Sequence, residues 1–156
     1  MQKLDPPITD LLPHAAPMVL LDRLCHYTAN KVQCELTIQP DSYLYDPQQQ
    51  GVPNYVALEY MAQTIGVIAG LEAKARADKV KLGFLLGTRR CQLHTALFSC
   101  GEVLQITAER VWQEDESGLA VFACQVTGRH QQCLAEAQLN VYQPHDIDAF
   151  FQEGAA

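Results

Sequence analysis

The sequence predicts an α+β domain in which an antiparallel sheet wraps around one long apolar helix. Three features carry this prediction. The stretch VPNYVALEYMAQTIGVIAGL (52–71) is apolar along nearly its whole length. Two apolar segments precede it, separated by turn-forming residues, and four segments of alternating apolar and polar residues follow it. Such a sheet must bury one face, and this helix is the element long and apolar enough to cover it.

In chain order, Ile8 to Leu12 reads as one short helical turn stopped by Pro13. MVLLDRLCHY (18–27) and VQCELTI (32–38) read as a hairpin about Thr28, Ala29 and Asn30. Pro40 to Gly51 carries Asp41, Pro47 and a run of glutamines without a period, and is expected to be a loop. The helix opens near Pro53, a residue suited to a first turn, and runs to about Ala77. GFLLGTRRCQLH, VLQITAERVWQE, GLAVFACQVTG and QCLAEAQLNVYQ then supply four strands, broken at Gly101, at Asp115 to Gly118 and at Gly128 to His130.

A chain of 156 residues suits a single domain over 1–156 with its own hydrophobic core. Hydrophobic residues at 48% and charged residues at 19% are those of a globular protein. The start, MQKLDPPITDLL, is too polar for a signal peptide, so a cytoplasmic protein is expected. The helical stretch approaches the ~20 apolar residues that span a bilayer. Pro53, Asn54, Glu59, Gln63 and Thr64, with no flanking basic clusters or aromatic belts, argue for a core helix instead.

Six cysteines scattered singly, without a signal sequence, point to free, buried thiols. The five histidines show no zinc-like spacing with cysteine or carboxylate, so no metal site is expected. A net charge of −7 argues against nucleic acid as a partner. Six of the eleven basic residues nevertheless cluster as Lys74, Arg76, Lys79, Lys81, Arg89 and Arg90, opposed only by Asp78. Some of this complements a helix C-terminus; the remainder suits docking of an acidic partner.

Between Asp46 and Glu72, Glu59 is the single Asp, Glu, Lys or Arg. It can lie on a solvent-facing stripe with Gln63 one turn later, as glutamate in helices usually does. Ala57, Ala62, Gly66, Ala69, Gly70 and Ala73, however, leave the helix almost no polar face, and a helix apolar nearly all round is buried. Glu59 is therefore expected to face the core or a cavity, where burial would raise its pKa toward that of a working general acid.

Two motifs resemble a known family. LLPHAAPMVLLDRL (11–24) is similar to LPHRYPFLLVDR, and VPNYVALEYMAQTIGVIAG (52–70) to FPGVLIIEAMAQAAG, of the 3-hydroxyacyl-acyl-carrier-protein dehydratases of bacterial fatty-acid synthesis. Those enzymes have the hotdog fold, a sheet wrapped around a central helix, and the resemblance covers Leu11 to Tyr142. PHAAPM and GFLLGTRR (83–90) are similar to a divergent aryl polyene branch of the same superfamily.

The resemblance implies elimination of water from a carrier-bound 3-hydroxyacyl thioester, with no cofactor. Glu59 matches the family's helix carboxylate. The family's catalytic histidine, in a GHFPG segment, matches Tyr45 here, and no histidine lies between Tyr27 and Leu93. Asn54 stands for the glycine of the second FPG, after Pro53. His14, in the LPH turn beside the family's acyl tunnel, is the candidate base; the alternative is a turn residue bonding backbone. Tyr45 and Asp46 are the next candidates, with loop packing the plainer role for Tyr45. Gln63 is expected to fix the Glu59 carboxyl or a water, or else to be satisfied by backbone.

Tyr45, Pro53, Asn54 and Gln63 thus make up the expected substrate-binding set, and Lys79, Lys81, Arg89 and Arg90 the docking set for an acyl carrier protein. A dimer with itself or with a related hotdog subunit, or a higher oligomer, is implied because the family builds its sites across a dimer interface. Two other functions fit the same residues. One is a thioesterase using the helix carboxylate to activate water; the other is a non-catalytic partner subunit, favoured by the missing histidine.

Overall fold

The computed structural model describes residues 6–79, 83–145 and 152 of the 156. Its centre is helix α1 (Ala57–Ala75), entered through a 3-10 turn at Asn54–Val56 that Pro53 precedes. Around it runs one six-stranded sheet of β1 (Arg23–Tyr27), β2 (Lys31–Thr37), β6 (Val103–Glu114), β7 (Leu119–Thr127), β8 (Cys133–Tyr142) and β4 (Phe84–Leu93), in that spatial order. Every neighbouring pair is antiparallel. This is the hotdog fold that the sequence led us to expect.

Alternation explains the core. Val32, Cys34 and Leu36 of β2, Leu104, Ile106 and Ala108 of β6, Phe122, Cys124 and Val126 of β7, and Ala135, Ala137 and Leu139 of β8 are all buried. Successive side chains of a strand point to opposite faces, so these residues share the concave face that meets α1. Tyr60, Met61, Thr64, Val67 and Ile68 are the buried face of the helix. The segment before β1 closes the end of the core: a 3-10 turn at Ile8–Asp10 buries Ile8, with Leu11 and Leu12 after it. A Cβ at Gly70 would fall onto the Leu11 carbonyl, so glycine is what lets this segment lie directly on α1.

Several boundaries differ from expectation. The first strand begins at Arg23 rather than Met18, because the backbone at Met18 and Leu20 bonds to a helix side chain and not to a strand. The regular helix is shorter at both ends, opening after the 3-10 turn and closing at Ala75. A second, two-stranded sheet of β3 (Gly51–Pro53) and β5 (Leu97–Ser99) was not expected. Strands this short give no alternation to read. The cysteines are free, but only Cys34 and Cys124 are buried, while Cys91 and Cys100 are exposed. No helix among the described residues is long and apolar enough to cross a membrane.

Among the described residues strand β4 ends the sheet, paired to β8 alone. It is poorly covered: Leu85, Leu86 and Leu93 are exposed, Leu86 by 58%.

Candidate active site

A cleft of about 530 Å³ runs along one side of α1, a size typical of small-ligand sites. Its floor is a single helical stripe, Glu59, Ala62, Gly66, Ala69 and Glu72, whose spacing of three and four residues keeps them on one face. Phe84 and Leu85 of β4 form part of its wall. The small floor residues leave room for a long, slender apolar group.

Glu59, Gln63 and His14 meet at one end of this cleft. Gln63 is 1% exposed. Its Nε2 donates to Glu59 Oε1 at 3.0 Å and to the Met18 carbonyl at 2.7 Å, and its Oε1 accepts from the Leu20 backbone N–H at 2.9 Å. Both amide protons and the carbonyl are therefore used, which fixes the carboxamide orientation and, through it, the Glu59 carboxyl. His14 Nε2 lies 3.9 Å from Glu59 Oε1. That exceeds a hydrogen bond, and matches two groups facing a shared space. His14 Nδ1 is buried with no hydrogen-bond partner among the described residues, so none of their carboxylates or carbonyls selects its tautomer through that atom.

The expected burial of Glu59 is corrected. Its side chain is 41% exposed and that of His14 34%. Small residues on a helix suggest close packing, but here Ala62, Gly66 and Ala69 line the cleft. Burial and the cleft floor have the same composition.

The other end of the cleft holds a pair not anticipated. Arg110 Nη2 donates to Glu72 Oε1 at 2.7 Å, and the guanidinium sits 5.5 Å from the Phe122 ring centroid. The signal was present in β6: Leu104, Ile106 and Ala108 alternate inward, and the next position on that face is Arg110. An arginine on the apolar face of a strand needs an acidic partner on the covering element, and Glu72 of α1 is it.

The remaining predicted residues stand apart from this cleft. Tyr45 packs against the core beyond it, and its hydroxyl pKa is raised, first by a hydrogen bond with Cys100 and then by desolvation. Asn54 Nδ2 donates to the Thr95 carbonyl at 2.9 Å, and Pro53 pairs opposite Leu97 in the small sheet. The substrate set thus divides, with Gln63 alone in the chain's own cleft. Lys79 is exposed after α1, Arg89 and Arg90 are exposed on β4, and Lys81 lies outside the described residues.

Comparison with known proteins agrees with this architecture. The family model ApeP-like, described as ApeP dehydratase, matches residues 6–152. A 3-hydroxyacyl-[acyl-carrier-protein] dehydratase FabZ of Chlamydia trachomatis serovar L2 is 30% identical over 138 residues, covering 85% of this chain and 87% of the relative. Among solved structures, the dehydratase heterocomplex ApeI:P from Xenorhabdus doucetiae contains a chain 32% identical, with a TM-score of 0.86 over 95% of this chain and 97% of that one. A hypothetical thioesterase from Streptococcus pneumoniae, solved with coenzyme A, shares the fold at a TM-score of 0.60 but only 13% identity, covering 78% of this chain and 84% of that one. With the match spanning both motifs, the helix carboxylate and the following strands, the chain belongs to the ApeP-like dehydratase family.

Proposed function

We propose that the chain eliminates water from a 3-hydroxyacyl group held as a thioester on an acyl carrier protein, in the cytoplasm, during synthesis of an aryl polyene or a related lipid or polyketide. The observation that carries this reading is the convergence of His14 and Glu59, 3.9 Å apart, at the end of a cleft floored by small apolar residues. His14 takes the proton from C2 of the acyl chain. Glu59 gives a proton to the departing C3 hydroxyl, and the electron pair of the C2–H bond becomes the new double bond. Gln63 orients Glu59 by its 3.0 Å hydrogen bond. The elimination needs no cofactor.

A second hotdog chain completes the site in this reading. The exposed edge strand β4 carries Leu85, which walls the cleft at its Arg110 end, so a strand paired along β4 would extend that wall. Tyr45, Pro53 and Asn54 contribute to substrate binding from the far side of such a pair. Lys79, Lys81, Arg89 and Arg90 attract the acidic carrier protein, raising encounter rate more than affinity.

The test is turnover of a 3-hydroxyacyl carrier-protein substrate by the assembled protein. Glu59→Gln should lower the rate by ~10²–10⁴-fold, the usual worth of general acid catalysis, and His14→Ala should lower it comparably. The product should be an enoyl thioester; release of free acid would make the chain a thioesterase. Unchanged activity of the assembled complex on Glu59→Gln would make it a non-catalytic subunit.

A further inference from the structure

We propose that His94, Cys133 and Glu136 form a binding site for a divalent cation of the zinc type. These residues lie outside the cleft, and Glu136 stands between the buried Ala135 and Ala137, so alternation turns it to the outer face of the sheet, away from α1. One ligand atom from each residue falls within 4.8 Å of the other two. His94 Nε2 is 3.8 Å from Glu136 Oε1, and Cys133 Sγ is 3.4 Å from Glu136 Oε2.

These separations suit a metal. Zinc binds imidazole nitrogen, carboxylate oxygen and thiolate sulfur at about 2.0–2.3 Å, and in a tetrahedron such bonds hold ligand atoms about 3.3–3.8 Å apart. Small rotamer changes at His94 and Cys133 close the remaining gap. The donor set also selects the ion, since a thiolate with an imidazole disfavours magnesium and calcium and favours zinc or its late transition-metal neighbours. Three protein ligands leave a fourth position for water.

The backbone places the ligands without help from a metal. His94 N–H donates to the Leu134 carbonyl at 2.9 Å, which fixes the residue after β4 against β8. Cys133 and Glu136 belong to β8, itself held between β7 and β4. The site was invisible in the sequence because its ligands come from the end of one strand and the start of another, far apart in the chain. The expectation of no metal site rested on local spacing, which does not report strand pairing. A bound cation would tie the end of the edge strand to its neighbour and stabilise the native chain by mass action.

The experiment is titration of the full-length protein, first stripped with chelator, using Zn(II) by calorimetry and Co(II) by optical absorption. One equivalent per chain should bind, with a thiolate-to-cobalt charge-transfer band and a higher Tm in Zn(II). His94→Ala, Cys133→Ser and Glu136→Gln should each weaken binding by more than about tenfold, the loss that even supporting groups of metal sites produce. Cys91→Ser and Cys100→Ser, which remove the two exposed thiols elsewhere, should leave the band in place. The proposal is overturned if wild type binds no more Zn(II) than Cys133→Ser, or if the charge-transfer band survives Cys133→Ser. Because the His94 side chain is 45% exposed, His94→Ala tests the site without burying a fault in the core.

Discussion

The Gln63 carboxamide donates to Glu59 Oε1 at 3.0 Å across one turn of α1, and its other two bonds hold the backbone at Met18 and Leu20. One buried side chain therefore orients the candidate acid and anchors the segment that carries His14. Gln63→Ala leaves the Leu20 N–H and the Met18 carbonyl without partners. At about 1–3 kcal/mol for each of the two groups left unsatisfied, a loss of roughly 2–6 kcal/mol is expected in urea unfolding. Turnover should fall mainly in kcat, because the groups displaced are those proposed to move protons and not those that hold the acyl chain.

Glycines 66 and 70 separate close approach from open space. A Cβ at Gly70 would collide with the Leu11 backbone carbonyl, whereas at Gly66 it would meet only Leu12 Cδ2 at 3.0 Å. Gly70→Ala should lower stability by about 2 kcal/mol or more, as overpacking against fixed backbone does. Gly66→Ala gains up to about 1 kcal/mol of helix propensity against a side chain able to shift, and its Tm should stay near wild type. The same methyl group narrows the cleft floor, so Gly66→Ala should raise KM for long acyl chains more than for short ones.

Arg110 and Glu72 join β6 to α1 through a pair in which the arginine side chain is 16% exposed. A double-mutant cycle with Arg110→Met and Glu72→Gln should return a coupling of about 1–3 kcal/mol, above the ~0–1 kcal/mol usual for fully exposed pairs. A coupling near zero would reassign the pair to cleft polarity alone.

Alkaline stability is set in part by two thiols. Burial pushes Cys34 and Cys124 from 9.0 up to about 12. Below about 9 both folded and unfolded chains keep these thiols protonated, and the native state bears no penalty. As pH rises from 9 toward 12 the unfolded chain ionises while the native one does not, so stability declines. The slope is at most about 1.4 kcal/mol per pH unit for each thiol. Tm measured across that window should fall less steeply for Cys34→Ala/Cys124→Ala than for wild type, whatever the double variant costs at neutral pH.

Much of the architecture was legible because its signals are local. Strands β2, β6, β7 and β8 keep a two-residue alternation, and α1 is one long apolar run, so the layers could be assigned before any pairing was known. Glu59 could be singled out because it is alone, and His14 because it sits in a turn that, in the family its motif resembles, lies beside the acyl tunnel. What failed depends on long-range partners. The fixing of Met18 and Leu20 by Gln63 ended the first strand early, a tertiary contact overriding strand propensity. The exposure of Glu59 was misread because composition cannot tell a covered helix face from one left bare.

Among the described residues strand β4 leaves a row of backbone N–H and C=O groups open on one side, with Leu85, Leu86 and Leu93 exposed along it. An edge of this kind accepts whatever strand reaches it first, including one from a misfolded neighbour. Left bare, such an edge is where this chain is most exposed to aggregation, and the second strand proposed above would remove that liability by closing it.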